Sequence, residues 1–180
     1  VVLPPVAYGV TRYGSMFPGA VGITPPTLRA MLIEILDSLA QQELEPRLIV
    51  NSHFEPEHLS AVREAAGESR ALLLDLTRRH HAERIGGEFQ RGAAHAGRYE
   101  TSLVLATHPE LVDVVTMRGL PAVDVDMPAA MAEGRHDFLA MGMDRAYCGA
   151  PAESSAEEGS TTLSVLAEMV VDAIVDWNNA

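Results

Sequence analysis

Hydrophobic positions in the first half of the chain fall into a helix, strand, helix, strand order. After Ile23-Thr24-Pro25-Pro26, the residues Leu28, Met31, Leu32, Ile35, Leu36 and Leu39 recur at helical spacing and lay down one wide apolar stripe. Thr24 suits the N-cap, and Pro25 suits the first helical position, where a missing N–H costs nothing. Arg47-Leu48-Ile49-Val50-Asn51 is short and β-branched and reads as a buried strand. Leu59, Val62 and Ala66 share one face of a second helix over Pro56 to Ala66, with Gly67 as its stop. Ala71 to Leu76 reads as another buried strand. Continuous apolar strands separated by helices predict an α/β fold with a parallel sheet covered on both faces.

The rest of the chain is patterned less strongly. The first 26 residues hold five prolines and four glycines and read as loop, with Val1 to Leu3 as a short buried strand. Ile85 to Gly97 is glycine-rich without a clear period and predicts a surface loop. A helix follows from near Arg98 to Thr107. Met117 to Pro151 is weakly patterned, and Ala152 to Gly159 reads as a small acidic loop. The last helix is expected from Thr161 or Thr162, with Leu163, Leu166, Met169, Val170, Ala173, Ile174 and Trp177 as its stripe.

Composition narrows the function classes. With 180 residues, 47% hydrophobic and 21% charged, the chain is sized for one soluble globular domain. Its formal charge is −12, from 25 acids against 13 bases, and every base is arginine. That balance argues against nucleic acid as a partner, since duplex binding needs a basic stripe to replace phosphate counterions. A single cysteine, Cys148, rules out an internal disulfide framework and fits a reducing cytoplasm. The apolar C-terminal run is interrupted by Asp172 and Asp176, so no membrane span is expected. Val1 to Val10 do not form a signal peptide. The chain opens without methionine, as a processed or trimmed product would, or a longer chain whose beginning is absent.

Two segments hold the candidate chemistry. In Asn51-Ser52-His53-Phe54-Glu55-Pro56 a buried strand ends just before a helix, and open parallel sheets bind ligands beyond the carboxyl ends of their strands. His53 and Glu55 lie two apart, so an extended backbone points both to one side as half of a zinc- or manganese-type site. The alternative is a polar loop in which Glu55 caps the next helix. In Ala94-His95-Ala96-Gly97-Arg98-Tyr99-Glu100-Thr101-Ser102, His95 is flanked by small residues and titrates near neutrality, as a general acid or base must. Glu100 falls in the first turn of the following helix, where a carboxylate is favoured in any case.

Other polar residues have plainer readings. His80 and His81 read as a solvated helix start, and His58 lies on the polar side of its helix. Cys148 reads as a small buried residue. Asp124 and Asp126 are either extra metal ligands at alternate strand positions or part of an exposed loop between Pro121 and Pro128.

Taken together, the two segments resemble the creatininase family of metal-dependent hydrolases. Asn51-Ser52-His53-Phe54-Glu55 is similar to the family's Asn-x-His strand end with an aromatic-Glu continuation, and His95 to Ser102 to its His-Ala-Gly-x-x-Glu-Thr-Ser motif. Phe17-Pro18-Gly19-Ala20 resembles its Phe-Pro-Gly-Thr turn, and Ala146 to Pro151 with Ala156 to Gly159 its closing segment. The resemblance implies a three-layer α/β sandwich, with a mostly parallel sheet flanked by helices, that hydrolyses a C–N bond in a small amide. It implies a divalent metal, two per site and Zn, Mn or Fe, with His53 and Glu55 as ligands. His95 then transfers protons, Glu100 supports it, and Asn51 orients the ligands from behind. Phe54, Phe17 and Gly19 then lie near the substrate, and the family implies a homo-oligomer, a hexamer.

The sequence also departs from the family. The family's first ligand segment, Glu-x-His-Gly followed by Asp, is absent, so the chain reads as a single domain over residues 1–180 without its N-terminal ligand segment. Ala94 stands where creatininase has glutamate, and Thr11-Arg12-Tyr13 replaces a Ser-x-Glu-His run. Creatinine is therefore not the expected substrate. Two further readings stand beside the hydrolase: a non-catalytic binding or assembly module, and a peptide-trimming peptidase.

Overall fold

The computed structural model describes residues 1–92 and 95–179. They form two compact units, residues 1–76 with 170–179, and residues 77–169.

In the first unit, helix α1 (Pro25–Gln41) starts where the sequence places it, and the Thr24 side chain accepts the Thr27 N–H. Strand β1 (Leu48–Asn51) pairs in parallel with β2 (Leu72–Asp75), Leu48 opposite Leu72 and Asn51 opposite Asp75. Helix α2 (Pro56–Glu68) joins them. Gly67 does not stop it, because α2 closes on the Ser69 N–H bonding back to Ala65. The core is Val10, Leu28, Leu32, Ala61, Val62 and Ala65, with Ile49 and Leu73 of the strands packed against it. Burying a leucine of this kind contributes about 2 kcal/mol. The strands are less enclosed than their apolar runs predict, since Val50 is 57% exposed. Val1 to Leu3 are exposed and form no strand, a correction to the expected one.

The second unit opens with α3 (Arg79–Ile85) and α4 (Gly87–Gln90). Helix α4 falls inside the surface loop expected over Ile85 to Gly97, and its Glu88 and Phe89 are buried, a correction to that reading. Glycines at 86 and 87 adopt positive φ, so here they mark a tight link between two short helices. Helix α5 (Arg98–Thr107) is followed by α6 (Val114–Arg118) and α7 (Met127–Ala132). Phe89, Tyr99, Met117, Phe138, Met141, Met143, Tyr147 and Cys148 are buried here.

Helix α8 (Ala156–Asn178) starts five residues before Thr161. The reason is a cap: Ser155 Oγ accepts the Glu158 N–H at 3.2 Å, and Ser155-x-x-Glu158 has the capping-box spacing. Glu157 and Glu158, expected in a loop, therefore lie in its first turn, where carboxylates are favoured. Of its expected stripe only Met169 is buried, while Leu163 and Trp177 stay exposed. Gly159 permits a close crossing, since a Cβ there would overlap the Ser102 carbonyl.

Candidate active site

The strand end of the first unit is a closed hydrogen-bond network. Asn51 is buried; its Nδ2 donates to the His53 carbonyl at 2.7 Å, and its Oδ1 accepts His58 Nε2–H at 3.0 Å. His58 Nδ1 accepts the Val10 N–H at 3.2 Å, which fixes the imidazole in its Nε2–H tautomer. Burial, and then the neighbouring His53, push the His58 pKa down to about 4, so the ring is neutral near pH 7. The two rings meet edge to face with centroids 4.7 Å apart. Gly9 makes room for them, because a Cβ there would lie 2.7 Å from His58 Nδ1. His58 is therefore buried in the site, and its expected place on a polar helix face is corrected. The i, i+7 spacing of Asn51 and His58 across a strand–helix junction does not reveal this contact in the sequence.

His53 and Glu55 point to one side, as an extended segment requires. His53 Nε2 lies 4.0 Å from Glu55 Oε2 and donates to the Val10 carbonyl at 2.8 Å. Glu55 occupies the N-cap position of α2, but its side chain makes no cap bond there. Its buried carboxylate instead accepts the Arg12 N–H at 2.9 and 2.8 Å and the Tyr13 N–H at 3.3 Å. Tyr13 has its pKa raised by burial, then by Glu55 and Glu57. The Val10–Tyr13 backbone thus hydrogen-bonds to both side chains of the pair.

Phe17-Pro18-Gly19-Ala20 forms a turn closed by the Ala20 N–H on the Phe17 carbonyl at 3.2 Å. Gly19 sits at φ +93, the left-handed geometry a type II turn demands at its third position. Phe17 and Phe54 are half-buried.

In the second unit, every polar side chain of the Glu100-Thr101-Ser102 run holds backbone. Glu100 accepts the Ala96 N–H at 2.6 Å, which stabilises Ala96 at φ +50. Thr101 Oγ1 donates to the Ala96 carbonyl at 3.4 Å, and Ser102 Oγ accepts the Ser155 N–H at 3.1 Å. The His95 ring stacks on Phe138 with centroids 4.4 Å apart. The His95 carbonyl accepts the Cys148 N–H at 2.9 Å in an antiparallel bridge.

The remaining candidates resolve simply. Asp126 caps α7 by accepting the Ala129 N–H at 2.9 Å, and Asp124 is exposed. Cys148 is fully buried; burial pushes its thiol up to about 11, so it is no nucleophile at neutral pH. His80 and His81 lie in the first turn of α3. Ala94 lies outside the described residues.

The pair His53 and Glu55 fits a divalent metal by donor chemistry and by reach. Two donors on one ion with bonds of about 2.0–2.2 Å can lie no more than roughly 4.4 Å apart. They are two ligands, and among the described residues no group of three or more His, Cys, Asp or Glu gathers around a common point. Among those residues, too, no helix is long and apolar enough to cross a membrane.

The family model described as creatininase, creatinine amidohydrolase, matches residues 1–174. A mycofactocin precursor peptide peptidase of Mycolicibacterium smegmatis is 27% identical over 98% of this chain and 67% of its own length. A crystal structure of creatinine amidohydrolase superposes with a TM-score of 0.68 at 22% identity, over 97% of this chain and 74% of the other. A manganese creatininase superposes at 0.62 and 20% identity, over 94% and 72%. These superpositions show the fold, an α/β arrangement with helices flanking a small parallel sheet. The family match over nearly the whole chain settles the class: this chain belongs to the creatininase family of amidohydrolases.

Proposed function

We propose that this chain carries a metal-dependent hydrolytic site for the C–N bond of a small linear or cyclic amide. The observation that carries the reading is the convergence of His53 Nε2 and Glu55 Oε2 to 4.0 Å beyond the end of β1. His53 and Glu55 hold the metal, with further ligands completing the set. A divalent metal there, Zn, Mn or Fe and two per site, would supply an acidified water as nucleophile and a Lewis acid for the amide carbonyl. Asn51 and His58 fix the orientation of the His53 segment, as hydrogen-bonded groups behind metal ligands do. To offer Nε2 to a metal, His53 would take its Nδ1–H tautomer and release the Val10 carbonyl. His95 passes a proton to the leaving nitrogen, and Glu100 holds the turn that presents it. Phe54 and the Phe17–Gly19 turn line the substrate side. The protein works as a cytoplasmic homo-oligomer, hexameric by family resemblance, whose size light scattering measures.

A second reading places the scissile bond in a peptide, and the likeness to a precursor peptide peptidase favours it. Comparing amine release from short peptides with ring opening of cyclic amides separates the two. His53→Ala removes metal-dependent turnover while the far-ultraviolet circular dichroism stays unchanged; a variant with full activity contradicts the assignment.

A further inference from the structure

The second unit holds a buried carboxylate that the reading above leaves without a role. Glu88 is 6% exposed, on the short helix α4. Its Oε2 accepts the Tyr99 N–H at 3.0 Å, and its Oε1 accepts the Ala150 N–H at 2.6 Å. Tyr99 is in the first turn of α5, whose N-cap is Gly97 and lacks a side chain to cap it. Glu88 supplies that cap from eleven residues upstream. Ala150 follows Cys148-Gly149, the segment bridged to His95 on one side and to Val123 on the other.

Two glycines exist at the points where this carboxylate approaches. A Cβ at Gly97 would lie 2.5 Å from Glu88 Oε2, and one at Gly149, whose φ is +95, would overlap Oε1. Gly149 thus gives up a side chain to the acid, and Gly97 gives one up both to the acid and to the Cys148 carbonyl, which a Cβ there would overlap, so the carboxylate reaches the two stretches of backbone beside His95. Removing the acid leaves two amides unsatisfied inside the unit, on the segment that bears His95 and on the segment that backs it.

We propose that Glu88 is a positioning residue for His95, clamping the Gly97–Tyr99 turn to the Cys148–Ala150 segment and so setting where the imidazole stands. This rests on the reading of His95 as the proton-transfer residue. A displacement of about 1 Å at such a residue costs on the order of a hundredfold in rate.

The test uses the full chain with Glu88→Gln and Glu88→Ala, probed by residue-resolved amide exchange and by turnover of creatinine and short peptides. Glu88→Gln is expected to keep its circular dichroism and global exchange, while whichever of the Tyr99 and Ala150 amides loses its oxygen exchanges at least about tenfold faster, and in Glu88→Ala both do. With whichever probe the wild type turns over, kcat falls about ten- to a hundredfold and KM changes less than about threefold. Gly149→Ala, which crowds the same carboxylate, lowers kcat likewise. If both Glu88 variants keep wild-type exchange at Tyr99 and Ala150, or kcat holds while those amides loosen, the proposal is overturned. Exchange that rises equally throughout the unit also overturns it, because the role is then only structural. A wild type that turns over neither probe counts against the functional reading, and the exchange data then decide the clamp alone.

Discussion

The Asn51–Glu55 strand end and the His95–Glu100 turn each present a histidine, and each leans on a buried carboxylate that collects backbone N–H groups. At the strand end the carboxylate is Glu55, two residues from its histidine, and it holds the Arg12 and Tyr13 amides. At the turn it is Glu88, seven residues away on another helix, and it holds the Tyr99 and Ala150 amides. The first carboxylate belongs to the candidate chemistry itself and does double duty. The second is set apart on α4 and takes no direct part in the candidate chemistry. A group that must bind a metal and also anchor a loop has two fates when mutated, whereas a dedicated clamp has one.

The largest expected effect is at the strand end. Glu55→Ala strands the part-buried Arg12 and Tyr13 amides beside a buried site and is expected to destabilise the fold by about 3 kcal/mol in urea unfolding, with Glu55→Gln losing about half of that. A loss below about 1 kcal/mol would mean that the Arg12 and Tyr13 amides find water instead.

Acid comes next. The folded pKa of His58, about 4, lies below its unfolded value of 6.5, so the unfolded chain binds more protons between those values. Stability carried by the neutral ring is complete above pH 6.5 and is lost as the pH falls toward 4. The loss is on the order of 2–3 kcal/mol. Urea titrations from pH 7 to 4 measure it, and His58→Gln is expected to flatten the profile; an unchanged slope refutes the buried neutral histidine.

At the turn, Gly149→Ala combines a left-handed φ with overlap on Glu88 and is expected to cost about 2 kcal/mol. The smallest effect is Ser155→Ala, about 1 kcal/mol from the lost cap of α8.

The comparison also explains what the sequence makes legible. Local signals carry well: the Thr24 cap with Pro25, the two apolar strands, and the pairing of His53 with Glu55 all depend on neighbours a few residues apart. The capping-box spacing of Ser155 and Glu158 was equally local and marks where α8 begins. His58 resists a local reading because its ring bonds to Val10 and Asn51, and only the packed structure turns a helix position into an interior one. Glu88 resists it further. Gly97 and Gly149 signal a close approach, but nothing in their spacing identifies the acid that comes between them.

The most direct test of the account is metal content per chain, by elemental analysis, on protein from the intact gene purified without chelator, for the wild type and His53→Ala. The account predicts about two zinc, manganese or iron ions per wild-type chain and a clear loss in the folded variant. A wild type that is metal-free and takes up no added zinc or manganese contradicts it, as does a His53→Ala protein that binds as much metal as the wild type.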